Sequence, residues 1–136
     1  MPPNLTWETV IPVRSYELDF AGIVNNAVYL HYLEEARLDF LRQIGVDFFA
    51  MAKEGVVPVV AKATIEYKSP VRGSDVLVVH GSIPQQGRTS LLMQYEIRSR
   101  NDGRLVAQAE TLLVFVNERG RPTAIPETLL LAMERR

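Results

Sequence analysis

With 136 residues, 47% of them hydrophobic and 23% charged, the chain is long enough to bury one sizeable core. Its 15 Lys and Arg against 16 Asp and Glu give a formal charge of −1, which removes any electrostatic reason to expect nucleic acid or an anionic membrane as partner. The absence of cysteine excludes disulfides and thiolate catalysis and is compatible with a reducing compartment.

The opening Met1-Pro2-Pro3-Asn4-Leu5-Thr6 lacks a basic stretch followed by an apolar one, and no apolar run approaches a bilayer span; the expectation is a soluble cytoplasmic protein. Trp7 to Val13 alternates, with Trp7, Thr9, Ile11 and Val13 on one face, and predicts a first strand. Ser15 to Asn25 is irregular, with Gly22 allowing a tight backbone path. From Asn26 to Ile44 the period becomes helical, with Tyr29, Leu33, Ala36, Phe40 and Ile44 on one stripe flanked by Leu30, Tyr32 and Leu41. Such a helix is roughly 27 Å long at ~1.5 Å per residue, and Gly45 stands where a C-terminal cap is favoured.

Val46 to Glu54 predicts a short second helix closed by Gly55. Four strand-like segments follow. In the first, Val59, Ala61, Ala63, Ile65 and Tyr67 alternate with Val60, Lys62, Thr64, Glu66 and Lys68 until Pro70 stops the run. Asp75 to Ile83 is ended by Pro84-Gln85-Gln86-Gly87, and Leu91, Met93, Tyr95 and Ile97 mark the next strand. Asn101-Asp102-Gly103 is good hairpin chemistry before the strand Leu105 to Val116, and Pro126 opens a C-terminal helix. One strand, one long helix and an antiparallel meander, without repeat or linker, predict a single α+β domain over 1–136 whose sheet curls around the helix. The uncovered face and edges of that sheet point to pairing with a second copy.

The residues that could carry chemistry gather where the helix begins. Asp19 is a loop carboxylate just ahead of that start, and Asn25-Asn26 mark the cap. A helix start offers unpaired N–H groups and partial positive charge, which can polarise a carbonyl that a carboxylate attacks directly or through water. Loop aspartates also commonly cap their own turn, and Asp19 has that structural role open to it as well. Glu34 and Glu35 read as ordinary helix-surface carboxylates, His31 and His80 as isolated side chains. No pair has metal-ligand spacing, so neither a metal nor another cofactor is expected.

Asp19-x-x-Gly22-x-Val24-x-Asn26-x-x-Tyr29-Leu30, followed by Leu33-Glu34-x-Ala36-Arg37, resembles the 4-hydroxybenzoyl-CoA thioesterase family of hotdog-fold acyl-CoA thioesterases. Val24-Asn25-Asn26 and Tyr29 are also similar to bacterial long-chain acyl-CoA thioesterases and plant acyl-ACP thioesterases. The resemblance continues through Ile65-Glu66-Tyr67-x-x-Pro70-x-Arg72-Gly73, Gly103-x-Leu105-Val106-Ala107, Leu113 to Val116 and Gly120-Arg121-Pro122. It implies hydrolysis of an acyl-CoA by Asp19 as nucleophile or general base, with a backbone N–H at Asn26 or its neighbour Ala27 polarising the thioester carbonyl. Ile23 and Asn26 stand where relatives often carry a His, so Asp19 has no imidazole beside it in the motif.

Gly22 and Tyr29 belong to the motif that would hold the substrate. Arg72 and Arg88, with Lys68 and Arg100, are candidates for the CoA phosphates. The family assembles as dimers, often paired into tetramers. Two rivals use the same residues: an acyl-ACP thioesterase, and a non-hydrolytic acyl-CoA binding module. The hydratase and dehydratase branches of the fold usually rely on a His in the site, and neither His31 nor His80 sits in such a motif.

Overall fold

A computed structural model describes residues 5–136; residues 1–4, which opened the segment read for a targeting signal, lie outside the described residues. The first strand, β1 (Leu5–Pro12), buries Leu5, Trp7, Thr9 and Ile11 and exposes the residues between them, the alternation expected of a sheet covered on one face. It ends before Val13. The long helix α1 (Val28–Gln43) buries Tyr29, Tyr32, Leu33, Ala36 and Phe40 and lies against the sheet. It starts two residues later than the sequence suggests, because the Val28 N–H first closes a turn on the Asn25 carbonyl before the helical bonding begins. Gly45, at φ +80°, ends the helix as a glycine cap does.

A short helix α2 (Phe48–Lys53) is capped by Asp47, whose Oδ1 accepts the Phe49 N–H at 2.9 Å. Then come β2 (Val57–Tyr67), β3 (Val76–Gln86), β4 (Ser90–Ser99), β5 (Leu105–Val116) and a last helix α3 (Glu127–Glu134). All strand pairs are antiparallel and the spatial order is β1-β3-β4-β5-β2. Only β3-β4-β5 is a meander. The strand β2 crosses to the far edge and pairs with β5, so the simple meander read from the sequence is corrected there.

Two irregularities correct the strand patterns. In β2 the register shifts between Val60 and Lys62, so Ala61 is an extra residue. Val60 therefore opposes buried Leu113, and Ala63 and Ile65 oppose buried Thr111 and Ala109, all on the helix-facing side. Val59 turns to the other face, against the strict alternation expected. In β3 the strand runs past Pro84, because the register also shifts between Ser82 and Gln85 and a residue without N–H is tolerated at such a bulge.

The core lies between α1 and the sheet. Trp7 packs tilted against Phe40 with centroids 4.6 Å apart, donates its ring N–H to the Ala36 carbonyl at 2.9 Å and meets Tyr95 edge-on at 6.2 Å. This is the α+β hotdog arrangement: one long helix wrapped by an antiparallel sheet. The opposite face of the sheet is polar, with Glu8, His80, Glu96, Gln108 and Glu66 in one cross-strand row. Among the described residues no helix is long and apolar enough to cross a membrane.

Candidate active site

Residues 14–27 are built as a narrow hairpin-like loop leading into α1. Asn25 N–H donates to the Glu17 carbonyl at 3.0 Å, Leu18 and Val24 form a bridge, and Asp19 N–H donates to the Ile23 carbonyl at 2.7 Å. Gly22, at φ +79°, lets the chain reverse where a side chain would be strained. A second bridge, Ile23 to Arg72, and the Val24 N–H to the Val71 carbonyl at 2.8 Å, tie the loop to the segment between β2 and β3.

Asp19 is half-buried at the tip of this loop. Its Oδ1 accepts the Ala21 N–H at 2.8 Å and the Ile23 N–H at 3.4 Å, the turn-capping role that loop aspartates often have. One carboxylate oxygen thus orients the group and the other, Oδ2, makes no hydrogen bond among the described residues.

The helix start divides its N–H groups unequally. Asn25 Oδ1 accepts the Ala27 N–H at 2.9 Å and the Asn25 carbonyl accepts the Val28 N–H at 3.0 Å. Asn25 therefore ties the turn that leads into α1, whereas the helix's own N-cap, Ala27, has no side-chain cap bond. The Ala27 N–H is engaged, while the Asn26 N–H has no acceptor among the described residues. Of the two candidates for polarising a carbonyl, Asn26 offers the open donor.

Tyrosines line the side of this start. Tyr29 is buried, with ring centroids 5.7 Å from Tyr32 and 5.1 Å from Tyr67, and burial pushes its hydroxyl up to about 12. Tyr67, from β2, donates its hydroxyl to the Asn26 carbonyl at 2.9 Å. The residue pattern did not single out Tyr67; its strand alternation marks it as lying on the helix-facing side but carries no sign of the reach to Asn26.

The other candidates separate cleanly. Arg72 is exposed beside the Asp19 loop, and Lys68 and Arg100 lie at the same end of the sheet. Lys68 pairs with Glu66 at 3.6 Å. Arg88 stands in the β3–β4 turn at the opposite end, about 30 Å away along β3 at ~3.3 Å per residue. Within one protomer Arg88 therefore does not share a site with Asp19, a correction forced by the length of β3. Glu34 and His31 are exposed, and Glu35 forms an ion pair with Arg14 at 3.1 Å. His80 pairs with Glu8 at 2.8 Å on the outer face of the sheet. A concavity of about 1230 Å³ lies on that outer face and none of the Asp19 loop lines it. No cluster that could hold a metal ion occurs among the described residues.

Residues 13–133 match the family model of the thioesterase-like superfamily. The chain is 30% identical over 122 residues to acyl-acyl carrier protein thioesterase ATL3, chloroplastic, of Arabidopsis thaliana. That match covers 90% of this chain but 64% of the plant protein, so the chain spans less than two thirds of that relative's length. It is 37% identical over 109 residues to the long-chain acyl-CoA thioesterase FadM of Escherichia coli (strain K12), covering 80% of each chain. The structure of a DHNA-CoA thioesterase from Staphylococcus aureus superposes with a TM-score of 0.88 over 96% of this chain and 89% of that one. At 23% identity this last likeness shows the fold.

Proposed function

The chain belongs to the thioesterase-like superfamily, and from that premise we propose that it hydrolyses an acyl-CoA thioester to the free carboxylic acid and CoA. What supports this reading is that one short loop carries both a carboxylate oxygen and a helix-start N–H that have no hydrogen-bond partner among the described residues. The thioester carbonyl oxygen accepts the Asn26 N–H, which stabilises the charge that develops there in the transition state. Asp19 Oδ2 then either attacks the carbonyl carbon, giving an anhydride that water opens, or takes the proton of an attacking water. Either route expels CoA as thiolate.

The exposed edge of β2 supports a dimer. Its strand carries Val59, Val60 and Tyr67 at 42%, 45% and 50% exposure, apolar surface on an unpaired sheet edge. Two such edges pairing antiparallel about a two-fold axis bring the site end of one sheet beside the opposite end of the other. That arrangement gives Arg88 of the partner subunit access to the same CoA as Arg72, and both then neutralise its phosphates. Dimers of this kind pair further into a tetramer. The cysteine-free chain suits a reducing cytoplasm, where it takes part in lipid metabolism.

Purified Asp19→Asn is expected to fold as the parent does and to lose turnover by ~10²–10⁴-fold, the usual worth of general base assistance. Release of free thiol from a panel of acyl-CoAs reads this directly, and near-parental rates would overturn the assignment. The similarity to ATL3 gives an acyl-acyl carrier protein substrate a place as second reading. Matched CoA and carrier-protein thioesters of one acyl group separate the two by kcat/KM.

A further inference from the structure

Beneath the Asp19 loop lies a second set of polar side chains that takes no part in the chemistry just described. Glu17 opens the loop and is buried, at 8% exposure. Its Oε1 accepts the Arg14 N–H at 2.8 Å and the Tyr32 hydroxyl at 2.8 Å, and its Oε2 lies 3.3 Å from Arg14 Nη1. The same Arg14 guanidinium reaches α1, with Nη1 and Nη2 donating to Glu35 Oε1 and Oε2 at 3.1 and 3.2 Å. Tyr32, from the first turns of α1, has no measurable exposure.

These contacts join two elements that the chemistry requires in fixed relation. Arg14 and Glu17 belong to the loop that carries Asp19, two residues beyond Glu17. Tyr32 and Glu35 belong to the helix whose start carries the Asn26 N–H. The backbone repeats the link, since the Glu17 carbonyl accepts the Asn25 N–H at 3.0 Å. The buried carboxylate and phenol, with a half-buried guanidinium across them, have few alternative arrangements, because the loss of either buried partner leaves a polar group unsatisfied. No buried side-chain polar atom among the described residues lacks a partner, so the network is complete.

We propose that Glu17, Arg14 and Tyr32 are positioning residues: their network fixes the Asp19 loop against the start of α1 and so sets the distance between the attacking carboxylate and the carbonyl-binding N–H. None of the three touches the thioester. Their effect therefore falls on the chemical step rather than on binding of CoA, which is held by groups elsewhere. The inference rests on the assignment of Asp19 and the Asn26 N–H.

Tyr32→Phe removes one hydroxyl and keeps the ring packing, and Glu17→Gln keeps an acceptor for Tyr32 but not the charge that holds Arg14. Each is expected to lower kcat ~10- to 100-fold, the scale of a misplacement of about 1 Å, with KM for the same acyl-CoA little changed. The double variant is expected to be no slower than the slower single one, because both act through one network. Introduced into Asp19→Asn, Tyr32→Phe is expected to leave the residual rate unchanged, since it acts only through Asp19. Thermal unfolding and size-exclusion chromatography establish how much of each variant is folded and assembled. A folded Tyr32→Phe and a folded Glu17→Gln that both turn over at the parental kcat overturn the inference. So does a loss of kcat that persists undiminished in the Asp19→Asn background. If Asp19→Asn itself keeps parental turnover, the proposed function fails instead.

Discussion

An aspartate in a reversed loop normally spends its carboxylate on its own backbone. Asp19 spends one oxygen, on Ala21 and Ile23, and keeps the other. The adjacent amide pair divides its work in the same way: Asn25 holds the Ala27 N–H at the entry to the helix, and the Asn26 N–H has no acceptor among the described residues. Asn25→Ala is therefore expected to cost about 1 kcal/mol of stability, the usual worth of a capping side chain, measured by denaturant unfolding. Its loss of turnover should be far smaller than that of Asp19→Asn, because the Asn26 N–H does not depend on the Asn25 side chain. At this scale the sequence was legible for Asp19 and for the helix start, since turn and cap chemistry are local. It was silent on Glu17, Arg14 and Tyr32, whose bonds to one another and to Glu35 join positions up to 21 residues apart and leave no periodic trace.

The elements were legible where side-chain period is uninterrupted. The buried stripe of α1 and the alternation of β1 both follow from it. They were misread at Ala61 and Pro84, where a bulge adds a residue and reverses the faces beyond it. Gly81 is another position whose reason is visible only across strands. It pairs with Trp7, and a Cβ there would stand 2.3 Å from the indole Cζ2. The indole cannot retreat, because its N–H is bonded to Ala36 and its ring is packed on Phe40. Gly81→Ala is expected to lower stability by about 1–3 kcal/mol, the range for overpacking a filled core, and calorimetric unfolding measures it.

The sheet ends in two edge strands: on β1 the Thr6 and Glu8 carbonyls accept from the Arg136 and Gln43 side chains, and β2 carries exposed apolar surface. Which edge stays open could not be read from the order of elements, because the crossover of β2 to β5 is set by packing and not by any local pattern. The same crossover carries Tyr67 to the helix start, where its hydroxyl holds the Asn26 carbonyl. The open edge and the reactive end therefore share a strand. In the proposed dimer, ordering of β2 by a neighbouring copy would reach the peptide that follows the proposed carbonyl-binding N–H. For the proposed dimer, specific activity should then depend on enzyme concentration: diluted below the dissociation constant of that dimer, the protein is expected to lose rate per subunit and to recover it on concentration. Thiol-release assays run over a dilution series beside light scattering test this, and a rate per subunit that stays constant as the dimer dissociates would contradict it. A cell could thus adjust thioester hydrolysis through the abundance of the protein, with output rising more steeply than the number of chains.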